Sequence, residues 1–500
     1  MSIIASLAKE TMIYGLSYSL GRVINFLLVT SYLTYRVFTG EDGYFAIYQD
    51  LYFYIGLLLG VLTLRMETTY FRYVSEDKYA AAIYPLATQA VFWISFFFAA
   101  GIIVGEKHIL NFLNYEGDFS GHLYIALGIL ICDVLSSLPF AKLRYEKRPR
   151  RYAWIKLSGL LLNIVLVIFF FECLPLFYPS FIDLISTSSQ KLYMVLLANL
   201  IASLLSLLLL QKEIRTGLQS VNWQFLRPVL KYSWPLILVT LSYTIIQNGY
   251  TSFLKYILPG ESLDNLRMSD SLVAATRLAV IMNLFVTAFN YGVEPFFFRY
   301  AGKKNSGEAY ASISLFFIIC AGAIYIFTCL NLGLFANLLG PSYRNALNLV
   351  PILLMGNIFA GMYTNMSVWY KLSDRTGTAA MISMLGMILN SILFIILIPR
   401  YGINASAWIT FTVYVFISAL SYLQGQRNMP IPYHLGRMFA YLIFSVLAVY
   451  LTNIIFSSLG LSNITRMITS IGILMMYTYW VYHKEVLSHR FQIIDHNSIL

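Results

Sequence analysis

Charged residues stand in the middle of segments otherwise built from Leu, Ile, Phe and Tyr: Arg22, Asp50, Asp133 and Arg277. About fourteen such apolar segments run almost end to end, each near the ~20 residues needed to cross a bilayer. A charge at the bilayer centre costs about 2.5–3.5 kcal/mol on insertion scales, so a helix that carries one turns it toward a partner or a wet cavity. The pattern predicts an all-α polytopic membrane protein with a polar interior. Composition agrees, since 59% of the residues are hydrophobic and 11% charged, against about 25% charged in soluble proteins.

The expected spans lie near 11–36, 44–68, 81–104, 122–140, 152–175, 191–211, 229–257, 271–298, 309–335, 346–370, 377–398, 404–424, 438–458 and 464–482. An even number puts both termini on one side. One set of loops holds Lys142, Arg144, Lys147, Arg148, Arg150 and Arg151, then Lys212, Arg215 and Arg227, then Arg299, Lys303 and Lys304, then Lys371 and Arg375. That side collects about 21 of the 34 Lys and Arg residues, so the positive-inside rule makes it, and both termini, cytoplasmic. Trp154, Trp234, Trp369 and Trp480 are expected at the same interface, as an aromatic belt. The net charge of +11 is dispersed through these short loops, which argues against a nucleic-acid partner. The outer loops around 105–121 and 175–190 leave no room for an extracytoplasmic catalytic domain.

An internal repeat relates the fifth and eleventh spans. Gly159-Leu-Leu-Leu-Asn163 matches Gly386-Met-Ile-Leu-Asn390, and Arg148 and Arg375 precede the two asparagines at equal distance. The copies are six spans apart and share an orientation. They predict two pseudo-symmetric six-helix lobes, 1–211 and 212–425, with two further helices and a cytoplasmic tail in 426–500. Parallel repeats of this kind recur in transporters, with the substrate site between the halves.

Polar residues form stripes at helical spacing. The first span carries Tyr14, Tyr18, Arg22 and Asn25, and the second Asp50, Tyr54, Arg65 and Glu67. The seventh carries Thr240, Tyr243, Gln247, Thr251 and Lys255. The eighth carries Thr276, Asn283, Thr287, Asn290 and Glu294, with Arg277 beside them. One reading is a hydrophilic cavity lined by Arg22, Asn25, Arg65, Gln247, Lys255, Arg277, Asn283 and Asn290. Guanidinium and ammonium groups there would suit the phosphate oxygens of a lipid-linked sugar. Asp50, Glu294 and Asp133 would be candidates for a coupling H+ or Na+. The alternative is structural: Asn, Gln and Thr tie helices together, Arg22 and Asp50 form a fixed pair, and Asp133 with Ser136 and Ser137 belongs to helix packing.

No P-loop, no HExxH or Cys/His cluster and no DxD pair occurs, so neither ATP hydrolysis nor a metal or other cofactor is expected. Cys132, Cys173, Cys320 and Cys329 lie in or beside apolar segments and read as small buried hydrophobes.

Several stretches carry a family likeness: Leu7-Ala-Lys-Glu-Thr-Met-Ile-Tyr-Gly15, Met66-Glu-Thr-Thr-Tyr-Phe-Arg72, Pro139-Phe-Ala-Lys-Leu-Arg144, Tyr291-Gly-Val-Glu-Pro-Phe-Phe-Phe298, Trp369-Tyr-Lys-Leu-Ser-Asp374 and Pro430-Ile-Pro-Tyr433. On these the chain resembles bacterial polysaccharide flippases, the Wzx-type members of the multidrug/oligosaccharidyl-lipid/polysaccharide (MOP) exporter superfamily. The resemblance implies a fourteen-helix, two-lobed fold in the bacterial inner membrane. It implies a non-enzymatic flippase that carries undecaprenyl-diphosphate-linked oligosaccharide to the outer leaflet by alternating access, for polysaccharide or lipopolysaccharide biosynthesis. Membrane lipids, a coupling H+ or Na+ and other polysaccharide-assembly proteins are the implied partners. In the related lipid II flippases, arginines on helices one, two and eight engage the diphosphate; Arg22, Arg65 and Arg277 fall on the matching helices here. The competing expectations are a drug/cation antiporter of the same superfamily and a membrane glycan polymerase or ligase.

Overall fold

The computed structural model describes residues 21–40, 42–74, 80–115, 117–219, 221–300, 306–373, 375–459 and 463–486. All regular structure among them is helical, and twelve of the described helices are long and apolar enough to cross a membrane. Tyr14 and Tyr18 lie outside the described residues, as do Leu7–Gly15.

The helices used below are α1 (Leu28–Val37), α2 (Tyr44–Leu62), α3 (Met66–Tyr73), α4 (Ile83–Val104), α5 (Glu106–Leu113), α6 (Ser120–Tyr145), α7 (Pro149–Ile168), α8 (Ser188–Leu209), α9 (Leu226–Asn248), α10 (Tyr250–Ile257), α11 (Ser262–Tyr300), α12 (Ser306–Leu330), α13 (Val350–Met366), α14 (Thr376–Tyr401), α15 (Asn404–Asn428), α16 (Leu435–Leu459) and α17 (Asn463–Val481). The chain forms two compact units. One comprises Met1–Val273 with Ser391–Ile403, the other Ala274–Asn390 with Asn404–Leu500.

In the first unit α8 packs on α6 and α7, α4 on α6, and α9 on α2. Close approach at the α7–α8 contact depends on Gly159, the repeat glycine: a Cβ there would meet Ser206 Oγ at 2.5 Å. Asp133 accepts from Ser203 Oγ at 3.0 Å across the α6–α8 contact. Ser136 and Ser137 return their hydroxyls to their own helix, at Cys132 O and Val134 O.

Two expected continuous spans are interrupted. The second breaks into α2 and α3 at Leu64 and Arg65, both left-handed with φ of 48° and 51°. The seventh breaks at Gly249, which separates α9 from α10. α1 is a π-helix, an uncommon geometry seen mostly as short insertions near functional segments. Its end is tied to a second π-helical turn, Phe169–Cys173, by Glu172, which accepts from Arg36 Nε at 2.9 Å, Arg36 Nη2 at 3.0 Å and Tyr32 OH at 3.1 Å.

In the second unit α12 packs on α13, α16 and α17, and α13 on α15. Apolar packing is pinned by a few buried hydrogen bonds: Tyr477 OH to Ile319 O at 3.1 Å and Asn331 Nδ2 to Ser470 Oγ at 2.8 Å. Buried Glu485 joins Arg437 at 2.7 Å and Tyr441 OH at 2.9 Å. Trp369, expected in an interfacial belt, is buried instead and donates Nε1 to Ser421 O at 3.1 Å. Its ring fills the space beside Gly425, where a Cβ would sit 2.9 Å from it. Trp154 and Trp234 are exposed, as belt residues would be.

Candidate functional site

The polar stripes do not share one environment. On the seventh span, Tyr243 is 54% exposed while Thr251 and Lys255 are fully buried. Beyond the break at Gly249, α10 turns Thr251, Ser252 and Lys255 inward. Gln247, just before the break, is half-buried.

Lys255 meets Asp50 at 2.6 Å, and neither side chain is exposed. The pair is the most enclosed ionic contact among the described residues. Asp50 Oδ2 also accepts from Tyr115 OH at 2.7 Å. Asp50 Oδ1 accepts from Ser252 Oγ and, at 3.4 Å, from Thr251 Oγ1. The Lys255 ammonium lies 4.5 Å from the Tyr115 ring centre, 4.6 Å from Tyr256 and 5.5 Å from Tyr54, within cation–π range. Tyr115 belongs to the loop after α5. Burial, and next the Asp50 charge, hold its phenol well above the usual range, so it stays a donor. Asp50 is thus partnered by Lys255, where the sequence suggested Arg22, and neither Lys255 nor Asp50 opens onto a surface.

Around this cluster the ends of several elements are stitched together. Asp270 of α11 accepts from the backbone amides of Gly43 at 2.9 Å and Ala46 at 2.7 Å, at the start of α2. Asn265 donates to Lys255 O at 3.1 Å and Leu258 O at 2.9 Å. Asn114 donates to Ser262 Oγ at 2.6 Å.

The other predicted residues are placed as follows. Arg22 and Asn25 are exposed on the first helix, before α1. Arg65 occupies the left-handed break and donates Nη2 to Thr68 Oγ1 at 3.3 Å. Near it, Glu67 pairs with Arg144 at 2.8 Å, joining α3 to α6. Arg277, Asn283 and Asn290 are half-buried on α11, in the second unit. The Glu294 side chain lies outside the described residues. Asp133 stays half-buried at the α6–α8 contact, within electrostatic reach of Lys156.

Two features escaped sequence reasoning. Asp270 and Glu172 act through partners 227 and 136 residues away in sequence, and no local spacing announces them. The repeat asparagines share a property no motif displays: Asn163 Oδ1 and both amide atoms of Asn390 are buried without a hydrogen-bond partner among the described residues. An apolar groove of about 420 Å³ lies between α7 and α1 with the helical turn before it, bordered by Leu27, Leu28, Tyr32, Ile164 and Ile168, with Arg36 at one end. No group of three or more His, Cys, Asp or Glu that could hold a metal occurs among the described residues.

No protein-family model matches the chain, and no curated protein matches it in sequence. Solved structures do. An inward-facing multidrug resistance MATE family transporter of the MOP superfamily shares 13% identity over 88% of this chain and 99% of its own, with a TM-score of 0.61. The lipid II flippase MurJ, in an inward closed conformation, shares 13% over 97% and 100%, with a TM-score of 0.67. A MOP superfamily transporter from Pyrococcus furiosus, whose reversed binding-pocket polarity suggests a different function, shares 14% over 87% and 96%, at 0.58. At these identities the likeness is one of fold. The chain has the fold of MOP superfamily transporters and is a multi-pass membrane protein.

Proposed function

We propose that the protein flips an undecaprenyl-diphosphate-linked oligosaccharide from the cytoplasmic to the outer leaflet of the bacterial inner membrane. The product would serve polysaccharide or lipopolysaccharide assembly. The observation that carries this reading is the state of the intramembrane carboxylates. Asp50 is neutralised by Lys255, Asp270 is engaged by two backbone amides, and Asp133 accepts from Ser203. Arg22 and Arg277 are each the only charged residue across the central stretch of their own helix. By sequence, Arg22, Arg65, Lys255 and Arg277 on the four polar stripes outnumber Asp50, Glu67 and Glu294 by one, a cationic balance that favours an anionic diphosphate over a cationic drug.

In this reading the lobes are 1–211 and 212–425, with 426–500 appended. Arg22, Asn25, Gln247, Arg277, Asn283 and Asn290 line the path, with Arg65 nearer the cytoplasmic end. The test is genetic and chemical. Deleting the gene should leave a lipid-linked glycan accumulating on the cytoplasmic leaflet. Arg22→Ala and Arg277→Ala should each abolish surface glycan at normal protein abundance. Wild-type surface glycan in both variants would remove the two arginines from the mechanism.

The same fold serves multidrug resistance transporters. A cationic substrate would need an available acid, and Glu294 is the residue on which that reading depends. Drug resistance conferred by the wild-type chain and lost in Glu294→Gln, with surface glycan unaffected by deletion, would favour the antiporter.

A further inference from the structure

Asp50 is surrounded by oxygen donors of the kind that bind a hard cation. Its two carboxylate oxygens face the hydroxyls of Ser252, Thr251 and Tyr115. Beside the same carboxylate sits the Lys255 ammonium, 2.6 Å from Oδ2 and ringed by Tyr54, Tyr115 and Tyr256. The ammonium is held there from the backbone, because Asn265 fixes the last turn of α10 through Lys255 O and Leu258 O. The groups facing the pair from α2, α10 and the loop after α5 are hydroxyls and phenols, and no second acid or base is bonded to either member among the described contacts.

We propose that Asp50 and its hydroxyl shell form an alkali-cation site that Lys255 keeps permanently filled as a tethered cation. The ion that would otherwise bind and leave is built into the chain. Two consequences follow. Asp50 does not exchange Na+ or K+ during a transport cycle. Removing the ammonium while keeping the carboxylate creates a site that a free alkali ion can occupy. This inference does not depend on the cargo, so its failure leaves the proposed transport function untouched.

The test uses the purified full-length chain, with thermal unfolding followed in NaCl, KCl and choline chloride at constant ionic strength. The wild type should unfold at the same temperature in all three. Lys255→Met should be less stable in choline and should gain a saturable rise in Tm, about 2 °C or more, in Na+ or K+, as expected for a ligand that binds only the folded state. Asp50→Asn/Lys255→Met should show no cation dependence, because a neutral replacement of a buried pair removes the need for a counter-ion.

A flat response of folded Lys255→Met overturns the proposal. So does a saturable response in the wild type that Asp50→Asn abolishes. If Lys255→Met is not recovered in choline, its yield of monodisperse protein is measured after extraction in NaCl and KCl. Rescue by either salt supports the proposal. Failure to rescue, whether or not the double variant folds, overturns it.

Discussion

Asp270 caps a helix it does not belong to. The first amides of α2 have no partner within their own helix; Asp42 Oδ1 accepts from Tyr44 N at 3.2 Å. Asp270 supplies one carboxylate oxygen to each of the Gly43 and Ala46 amides, from a position 3% exposed. A charged acceptor at a helix start gains from both the hydrogen bonds and the helix dipole. Asp270→Ala should lower stability by about 1.5–3 kcal/mol, the usual cost of losing hydrogen bonds to a charged group. Asp270→Asn should cost less, since its amide keeps one acceptor oxygen. Thermal unfolding of the two variants checks this ordering; unchanged stability in Asp270→Ala would remove the clamp. Nothing in Met268-Ser-Asp-Ser271 announces the role. The same is true of Glu172 inside Phe169-Phe-Phe-Glu-Cys173, whose two partners sit on α1. A residue whose function is to meet a distant backbone leaves no periodic trace.

Elements differ from their sequence signals where geometry depends on contact. Leu64 and Arg65 interrupt the second span with two left-handed residues, although neither is Gly, Asn or Pro. Each such residue costs about 1–3 kcal/mol and persists only where surrounding structure enforces it, so apolar periodicity alone reads the span as unbroken. Glycines show the same limit. Gly361 on α13 and Gly101 on α4 sit in similar apolar runs, yet a Cβ at Gly361 would lie 2.3 Å from the Phe317 ring and 3.0 Å from Val286, while at Gly101 it would meet nothing within 4 Å. Gly361→Ala should therefore destabilise by about 1–3 kcal/mol through overpacking. Gly101→Ala should stabilise slightly, by up to about 1 kcal/mol, through helix propensity. Similar melting temperatures for the two variants would contradict the contact geometry. What the sequence does specify well is the helical class and the membrane-spanning length of the described helices, because bilayer thickness sets length and lipid enforces apolar composition.

At the scale of the whole molecule, orientation rests on charge. The loop between α6 and α7 and the first turn of α7 concentrate Lys147, Arg148, Arg150 and Arg151, and the corresponding segment before α14 holds Lys371 and Arg375. The segment between α7 and α8, on the opposite side, carries Asp183 and no Lys or Arg from Leu174 to Gln190. Retention of basic loops in the cytoplasm predicts which of these an impermeant reagent can reach. Arg150 and Ser180 are both exposed, so a cysteine at either can react. In a background with the four native cysteines replaced, Ser180→Cys should label in intact cells with a membrane-impermeant maleimide. Arg150→Cys should label only after permeabilisation. The reverse pattern would invert the chain in the membrane, place the cationic α6–α7 loop outside, and reverse the leaflet from which a lipid-linked anion would have to enter. Labelling of both sites in intact cells would instead exclude any single orientation. Because every step from basic loop to cargo direction passes through this assignment, the two cysteines decide it before any transport measurement is made.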